Sequence, residues 1–550
     1  MKLVKRLLTI IAASVLVLSI GGMKISATED PTPTTYTFAV ENKNATDANK
    51  DDYEYLLYQM FVGDISINEE GKQVLSNISW GNGVKDETKV TMYDLAGLTG
   101  DDKNAANFAK WLSGKDQAVF HELLAAVGVH DGQSLQNPTE LKWGNYSIAS
   151  EQVQGFGAEN LEGGYYLVRN TKVPNGETCS DYIVFVLNKD TKATPKASPA
   201  PTHEKKVTDK NDSKPLDSTV NGIGDSADYD IGDDIPYTLK VTLPDNYESY
   251  VNYKVVFTDE MSKGLTYNGD AKIYFGESDT EGTTILLNEM GGSSLYGTDG
   301  KTYTYTIPDL KADSYSIYNL KNGSVITIKY TAKLNKDAVI GSVGNPNAFT
   351  LEYSNNPTGD SLGKTEPDKN TVFTFQLVFS KTDGQKNPLS GADFILYKWI
   401  SSNDGTSGNW VDITTLGTPE NHPSKTKSGT GATSDCVFTF SGLDDGKYKL
   451  HESQTPTGYN TIEDIEFTVT ATHTETAVDP QLTDLSASGD TITMTPSLPG
   501  GTLSADIKNE SGSTLPTTGA KGTSFLVIGG SVIALIGILI LVTRRRMMAE

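Results

Sequence analysis

An apolar run near the C-terminus, Phe525 to Val542, closed by Arg544-Arg545-Arg546, restricts this chain more than any other stretch. It holds 18 residues without a charge. At about 1.5 Å of rise per residue that is close to the minimum for a bilayer-spanning helix, and the arginines fix the cytoplasmic side. We read residues 525–543 as a transmembrane helix and 544–550 as a basic tail. At the other end Lys2, Lys5 and Arg6 precede a second apolar stretch, Leu7 to Ile20, and Ile25-Ser26-Ala27 offers a small residue for cleavage. Residues 1–27 therefore read as an export signal. The part that folds lies between these ends and works outside the cell.

That part must stabilise itself with almost no cysteine. The 550 residues contain two, Cys179 and Cys436, in stretches expected to belong to different domains, so the disulfides usual in exported proteins are not expected. The length suits three or four domains. The formal net charge of -24 argues against nucleic acid or anionic lipid as partners, since either polyanion would be repelled. Its 26 Tyr and 52 Gly, with abundant Thr, fit β-rich modules. The expected fold class is mainly β: tandem sandwich domains, the first with inserted helices.

A first domain is expected over 34–190. It opens with the strand-like Tyr36 to Val40 and carries apolar residues near helical spacing from Asn104 to Val127, with Gly114 as a possible divider. It closes with two strand-like runs around a Pro-Asn-Gly turn at 174–176. Residues 191–200 read as a linker in which Pro195, Pro199 and nearby Pro201 keep the chain extended and Lys196 accessible, with Lys192 as its local rival. A second domain is expected over 201–367 and a third over 371–512. Alternation in these two places polar residues on apolar stripes. Lys381 follows Phe375, Leu377 and Phe379; Glu452 follows Tyr448 and Leu450; Asn509 follows Leu503, Ala505 and Ile507. In the second domain Lys205 shares parity with Val207, Asp259 with Val255 and Phe257, and both Asn347 and Asn355 with Phe349 and Leu351.

Leu515-Pro516-Thr517-Thr518-Gly519, followed by a short spacer, the apolar run and the arginines, resembles the sorting signal of Gram-positive surface proteins. The resemblance implies sortase cleavage between Thr518 and Gly519. The segments Glu204-Lys205-Lys206-Val207, Thr258-Asp259-Glu260-Met261-Ser262-Lys263-Gly264-Leu265 and Asn345-Pro346-Asn347-Ala348-Phe349 resemble the fimbrial isopeptide-forming domain, an immunoglobulin-like sandwich. Phe379-Ser380-Lys381-Thr382-Asp383, Tyr448-Lys449-Leu450-His451-Glu452-Ser453 and Ile507-Lys508-Asn509 are similar to the collagen-adhesin B-type, transthyretin-like module. Both families imply an uncatalysed lysine–asparagine isopeptide bond assisted by a buried acid. Burial favours the neutral amine such a bond needs. The expected partners are Lys205 with Asn347, assisted by Asp259, and Lys381 with Asn509, assisted by Glu452. Lys206, Asn355 and Asp233 stand as alternatives in the second domain. Lys196 sits where sortase-assembled backbone pilins carry their polymerisation lysine, although Thr194 replaces a frequent aromatic, and Glu452 lies in a segment resembling the pilin E-box.

These resemblances imply a backbone pilin. The expected partners are a class C-type pilin sortase, a housekeeping sortase, further copies and ancillary pilins, peptidoglycan and a host surface ligand. A monomeric wall-anchored adhesin is the alternative. No apparatus acting on an external substrate is visible, and no cofactor or metal is expected. His121 to Ala125 lacks the second histidine of a zinc-protease helix, and Ser113 to Asp116 lacks the pattern of a phosphate loop. The acidic run Asp225 to Asp230, with Asp233 and Asp234, reads as a solvated loop in preference to a calcium site. No lysine–asparagine pair stands out in the first domain, where Lys43 is the one candidate nucleophile.

Overall fold

The computed structural model describes residues 35–67, 73–113, 115, 134–180, 183–195, 199–214, 222–276, 285–286, 293–296, 301–357, 359–402, 407–413, 436–513 and 521–547. The export signal, Lys196, the pentapeptide 515–519, and the histidine of 121–125 lie outside them. The chain is mainly β, in three sandwiches, and among the described residues both globular α-helices lie in the first.

The first sandwich pairs a sheet of Thr35–Val40, Lys142–Ile148, Glu151–Glu162 and Thr191–Ala193 with one built on Glu54–Ile67, Gln73–Trp80, Gly164–Lys172 and Ile183–Leu187. The helix Ala105–Ser113 buries Phe108 and Leu112, with the Phe108 ring stacked on Trp80 at 5.5 Å. The rest of the expected 104–127 helical stretch is outside the described residues, apart from Lys115. One boundary differs from expectation. Thr191–Ala193, expected as linker, forms an edge strand parallel to Thr35–Val40 and so belongs to the first domain. Lys43 is exposed in a turn and enters no core.

In the second sandwich every other residue of Asp234–Thr242 is buried, Ile235, Tyr237, Leu239 and Val241, as period-2 alternation demands. Its neighbour Val325–Leu334 turns Ile326, Ile328, Tyr330, Ala332 and Leu334 into the same tyrosine-rich core. The facing sheet contains Val255–Met261 and Asn345–Ser354 side by side, with Thr302–Ile307 beyond. Asp368–Phe373, whose last residues were expected to open the third domain, instead pairs antiparallel with Asn345–Ser354 and ends the second.

The third sandwich begins at Phe375–Thr382, held between Val437–Leu443 and the parallel Thr502–Lys508. Its other sheet runs Gly408–Asp412, Asp393–Ser401, Gly446–Gln454, Ile465–His473 and Leu482–Ser488. Thr374 is the buried hinge between domains: Val372 packs in the second core and Phe373 in the third.

The acidic run is no solvated loop. Asp225, Ser226, Asp228 and Asp230 are buried, because Ser226–Asp228 lies parallel to Asp368–Phe373 at the joint with the third domain. There the Asp225 amide donates to Glu475 and the Ile231 amide to Gly442.

Lys521–Met547 forms a helix of 27 residues that contains the apolar run. Its side chains are described only for Val527 and residues 529–545, and within that shorter set no helix is long and apolar enough to cross a membrane. The full backbone helix is about 40 Å long at 1.5 Å per residue, enough to span a bilayer.

Candidate functional site

In the second domain three strands converge on one closed chamber. Thr202–Thr208 supplies Lys205, Val255–Met261 supplies Asp259 and Asn345–Ser354 supplies Asn347. Lys205 and Asn347 are fully buried and Asp259 is 1% exposed. The Lys205 ammonium donates to an Asp259 oxygen and, at 2.8 Å, to the Tyr330 hydroxyl. That hydroxyl donates to the other Asp259 oxygen at 2.5 Å and accepts from Asn347 Nδ2 at 2.9 Å. Two rings wall the chamber: Lys205 Nζ lies 4.9 Å from the centre of Tyr237 and 5.3 Å from that of Tyr330. Asn347 Oδ1 is buried with no hydrogen-bond partner. Burial pulls the Lys205 amine below its ordinary range, and the carboxylate of Asp259 only partly opposes this.

The alternatives are placed elsewhere. Lys206 pairs with Asp225 at 2.6 Å on the outer face. Asn355 accepts from Ser361 and from the Cys179 amide at the joint with the first domain. Asp233 faces the third domain, beside Asp212, Asp230 and Asp444.

The third domain repeats the chemistry with other spacing. Lys381 stands opposite Ile507 on parallel strands, and Asn509 follows just beyond the strand end. Lys381 and Asn509 are fully buried and Glu452 is 4% exposed. Asn509 Nδ2 donates to both Glu452 oxygens, at 2.9 and 3.2 Å, and to the Asn460 carbonyl. The carboxylate is steadied by the Thr455 hydroxyl and the Ile462 amide. Lys381 donates to the Ile507 and Thr382 carbonyls. Burial pulls its amine down to about 8, against the raising influence of Glu452. Asn509 Oδ1 too has no hydrogen-bond partner.

A third buried lysine went unnoticed in the sequence. Lys398 shares the inward stripe of Phe394 and Leu396, and its ammonium contacts Asp230 at 2.5 Å, Asp444, and Asp212 at 3.5 Å. Burial alone would pull this amine down, yet Asp230 and Asp444 hold it well above its ordinary range. It stays an ammonium ion tying the second domain to the third. Three buried lysines thus have two electrostatic fates: desolvation prevails at Lys205 and Lys381, while the close aspartates prevail at Lys398.

Lys192 donates to Glu151 at 2.9 Å, with Glu41 at 3.8 Å, and these partners hold its amine above its ordinary range.

Residues 231–357 match the family described as Gram-positive pilin backbone subunit 2, Cna-B-like domain; residues 375–481 match a prealbumin-like fold domain; residues 507–547 match the LPXTG cell wall anchor motif. The chain is 29% identical over 250 residues to the trypsin-resistant surface T6 protein of Streptococcus pyogenes serotype M6. That match covers 42% of this chain and 40% of the relative's length. Among solved structures, the T6 backbone pilin of serotype M6 S. pyogenes is similar at 18% identity and TM-score 0.49, over 89% of this chain and all of that one. The major pilin SpaD of Corynebacterium diphtheriae is similar at 15% identity and TM-score 0.44, over 87% and 98%. The anchor match makes this a peptidoglycan-anchored Gram-positive surface protein.

Proposed function

From the premise that the chain is a Gram-positive backbone pilin with an LPXTG wall anchor, we propose that it forms the covalent shaft of a pilus. A sortase cysteine attacks the carbonyl of Thr518, Gly519 leaves, and the threonyl group passes to the Lys196 amine of another copy. The last copy is transferred to peptidoglycan. The observation that carries this reading is the succession of a backbone-pilin domain match and a wall-anchor match in one chain. The alternative acceptor, Lys192, is disfavoured because its ammonium is engaged by two carboxylates on a paired strand.

Inside each of the last two domains we propose a self-formed amide: Lys205 to Asn347 and Lys381 to Asn509, with Asp259 and Glu452 as the assisting acids. In each case the neutral amine attacks the side-chain carbonyl carbon, a C–N bond forms and ammonia departs. The reading is supported by the burial of all six groups, the lowered lysines and the unpartnered amide oxygens. Load makes sense of where these bonds fall. Between Lys196 and Thr518 tension crosses only the second and third domains, and the first hangs outside the line of force. Among its described residues no lysine is buried.

The test is an immunoblot of SDS-boiled wall extract from cells making the wild type or Lys196→Ala. A high-mass ladder that collapses to monomer in the variant is expected. A single monomer band in both, with the cognate sortase present, would replace the shaft by a monomeric wall-anchored adhesin.

A further inference from the structure

The two cross-link chambers differ in how the acid meets the amide. In the third domain Glu452 reaches the amide nitrogen of Asn509 with both oxygens. In the second the acid is an aspartate, shorter by one methylene, and it meets the amide through the Tyr330 hydroxyl. That hydroxyl touches every participant at once: Lys205 Nζ at 2.8 Å, Asn347 Nδ2 at 2.9 Å and Asp259 Oδ2 at 2.5 Å. Its ring is fixed by stacking on Tyr237, 5.2 Å between centres.

Resting on the reading of Lys205 and Asn347 as cross-link partners, we propose that Tyr330 is a catalytic residue of that bond, carrying a proton from the lysine amine to the departing amide nitrogen. Asp259 first takes a proton from the ammonium ion it contacts, leaving a neutral amine. Nζ attacks Cγ of Asn347, forming the new C–N bond and a tetrahedral adduct. Nζ must then lose a proton and Nδ2 gain one before the C–Nδ2 bond can break. The hydroxyl accepts the first while giving up its own to the second, and so ends unchanged. The products are a secondary amide and ammonia, and the proton on Asp259 leaves with the ammonia as ammonium. No oxidant or further reactant is needed.

The test follows the mature extracellular chain made by cell-free synthesis, quenched at intervals and weighed intact. Wild type should lose two ammonia equivalents. Tyr330→Phe, which keeps the stacked ring, should lose one at the wild-type rate, from the third domain, and the other at least about 100-fold more slowly, as removal of a general acid–base group does. Adding Asp259→Glu to Tyr330→Phe should restore much of the rate, because the longer arm reaches the amide directly as Glu452 does. A misfolded variant would not be rescued in this way. Loss of both equivalents at the wild-type rate in Tyr330→Phe overturns the role of Tyr330 and leaves the cross-link standing. A wild type that loses only the equivalent abolished by Lys381→Ala overturns the second-domain cross-link, and Tyr330 with it.

Discussion

Lys381 and Ile507 face each other on the first and last strands of the third domain, which run parallel, and the lysine ammonium donates to the Ile507 carbonyl at 3.0 Å. Asn509 lies two residues further along the same inward stripe. A bond between the two side chains therefore closes the domain at the point where the chain leaves for the wall anchor.

Asn509→Ala should lower the unfolding free energy of the third domain by about 4–5 kcal/mol, and Asn347→Ala that of the second by a similar amount. The estimate takes the 128 and 142 positions spanned and the loop-entropy relation written for disulfides. The two losses should add, since the chambers share no residue. Denaturant titrations of the single and double variants measure this.

The Lys381 amine at about 8 has a definite consequence for pH. Bond formation in the third domain should speed up as pH rises towards 8 and level off above it. In Asn509→Ala, where the amine stays free, the folded chain holds fewer protons than the unfolded one between pH 8 and the ordinary lysine value near 10.5. Stability must then rise with pH across that window. Denaturation midpoints at pH 8 and 10 should show a gain that the added change Lys381→Met removes.

The joint between the second and third domains should respond in the opposite sense. Burial, reinforced by neighbouring aspartates, pushes Asp209 up to about 6 and Asp233 and Asp445 up to about 7. The folded joint thus holds extra protons from the ordinary carboxylate range up to those values, and its stability falls as pH rises through them. Calorimetry should show the two domains melting together at pH 5 and separating at pH 8. Lys398→Met strands Asp230 and Asp444 without their cation. It should weaken the joint by about 3–5 kcal/mol and separate the transitions at both pH values.

Stretching the chain between Lys196 and Thr518 distinguishes the two domains. The proposed Lys205–Asn347 bond would join the first strand of the second domain to a strand that is not its last, since Asp368–Phe373 follows and pairs with it. The 26 residues after Asn347, as far as Phe373, lie beyond the bridge. They are held by the pairing of Asn345–Ser354 with Asp368–Phe373, by the Lys205 amide on Asp368 and by Asn370 on the Lys205 carbonyl. Single-molecule pulling should release at most about 90 Å from this domain, at roughly 3.4 Å per residue, and almost nothing from the third. Lys205→Ala should lengthen the release several-fold.

Strand parity made the chambers legible. An inward lysine, acid or asparagine interrupts an apolar stripe, and Lys205, Asp259, Asn347, Lys381, Glu452 and Asn509 all do so. Tyr330 was hidden because a tyrosine on the stripe Ile326, Ile328, Ala332 reads as more core, and its hydroxyl matters only once two other strands approach. Lys398 carried the same signal as Lys381, after Phe394 and Leu396, and was passed over. Its partners Asp212 and Asp230 lie far away in the chain. The run from Asp225 to Asp230 misled for that reason: with no lysine among them, clustered carboxylates imply water, and the third domain's Lys398 supplies an ammonium ion that lets Asp230 be buried. Domain ends were blurred because Thr191–Ala193 and Asp368–Phe373 pair with strands distant in sequence.

The most direct measurement is the intact mass of the mature extracellular chain, denatured and weighed beside the double variant Lys205→Ala, Lys381→Ala. Two self-formed amides predict a wild-type mass short of its sequence by two ammonia molecules, and a double variant at full sequence mass. A wild type at full sequence mass would contradict the account and leave both lysines as buried ions.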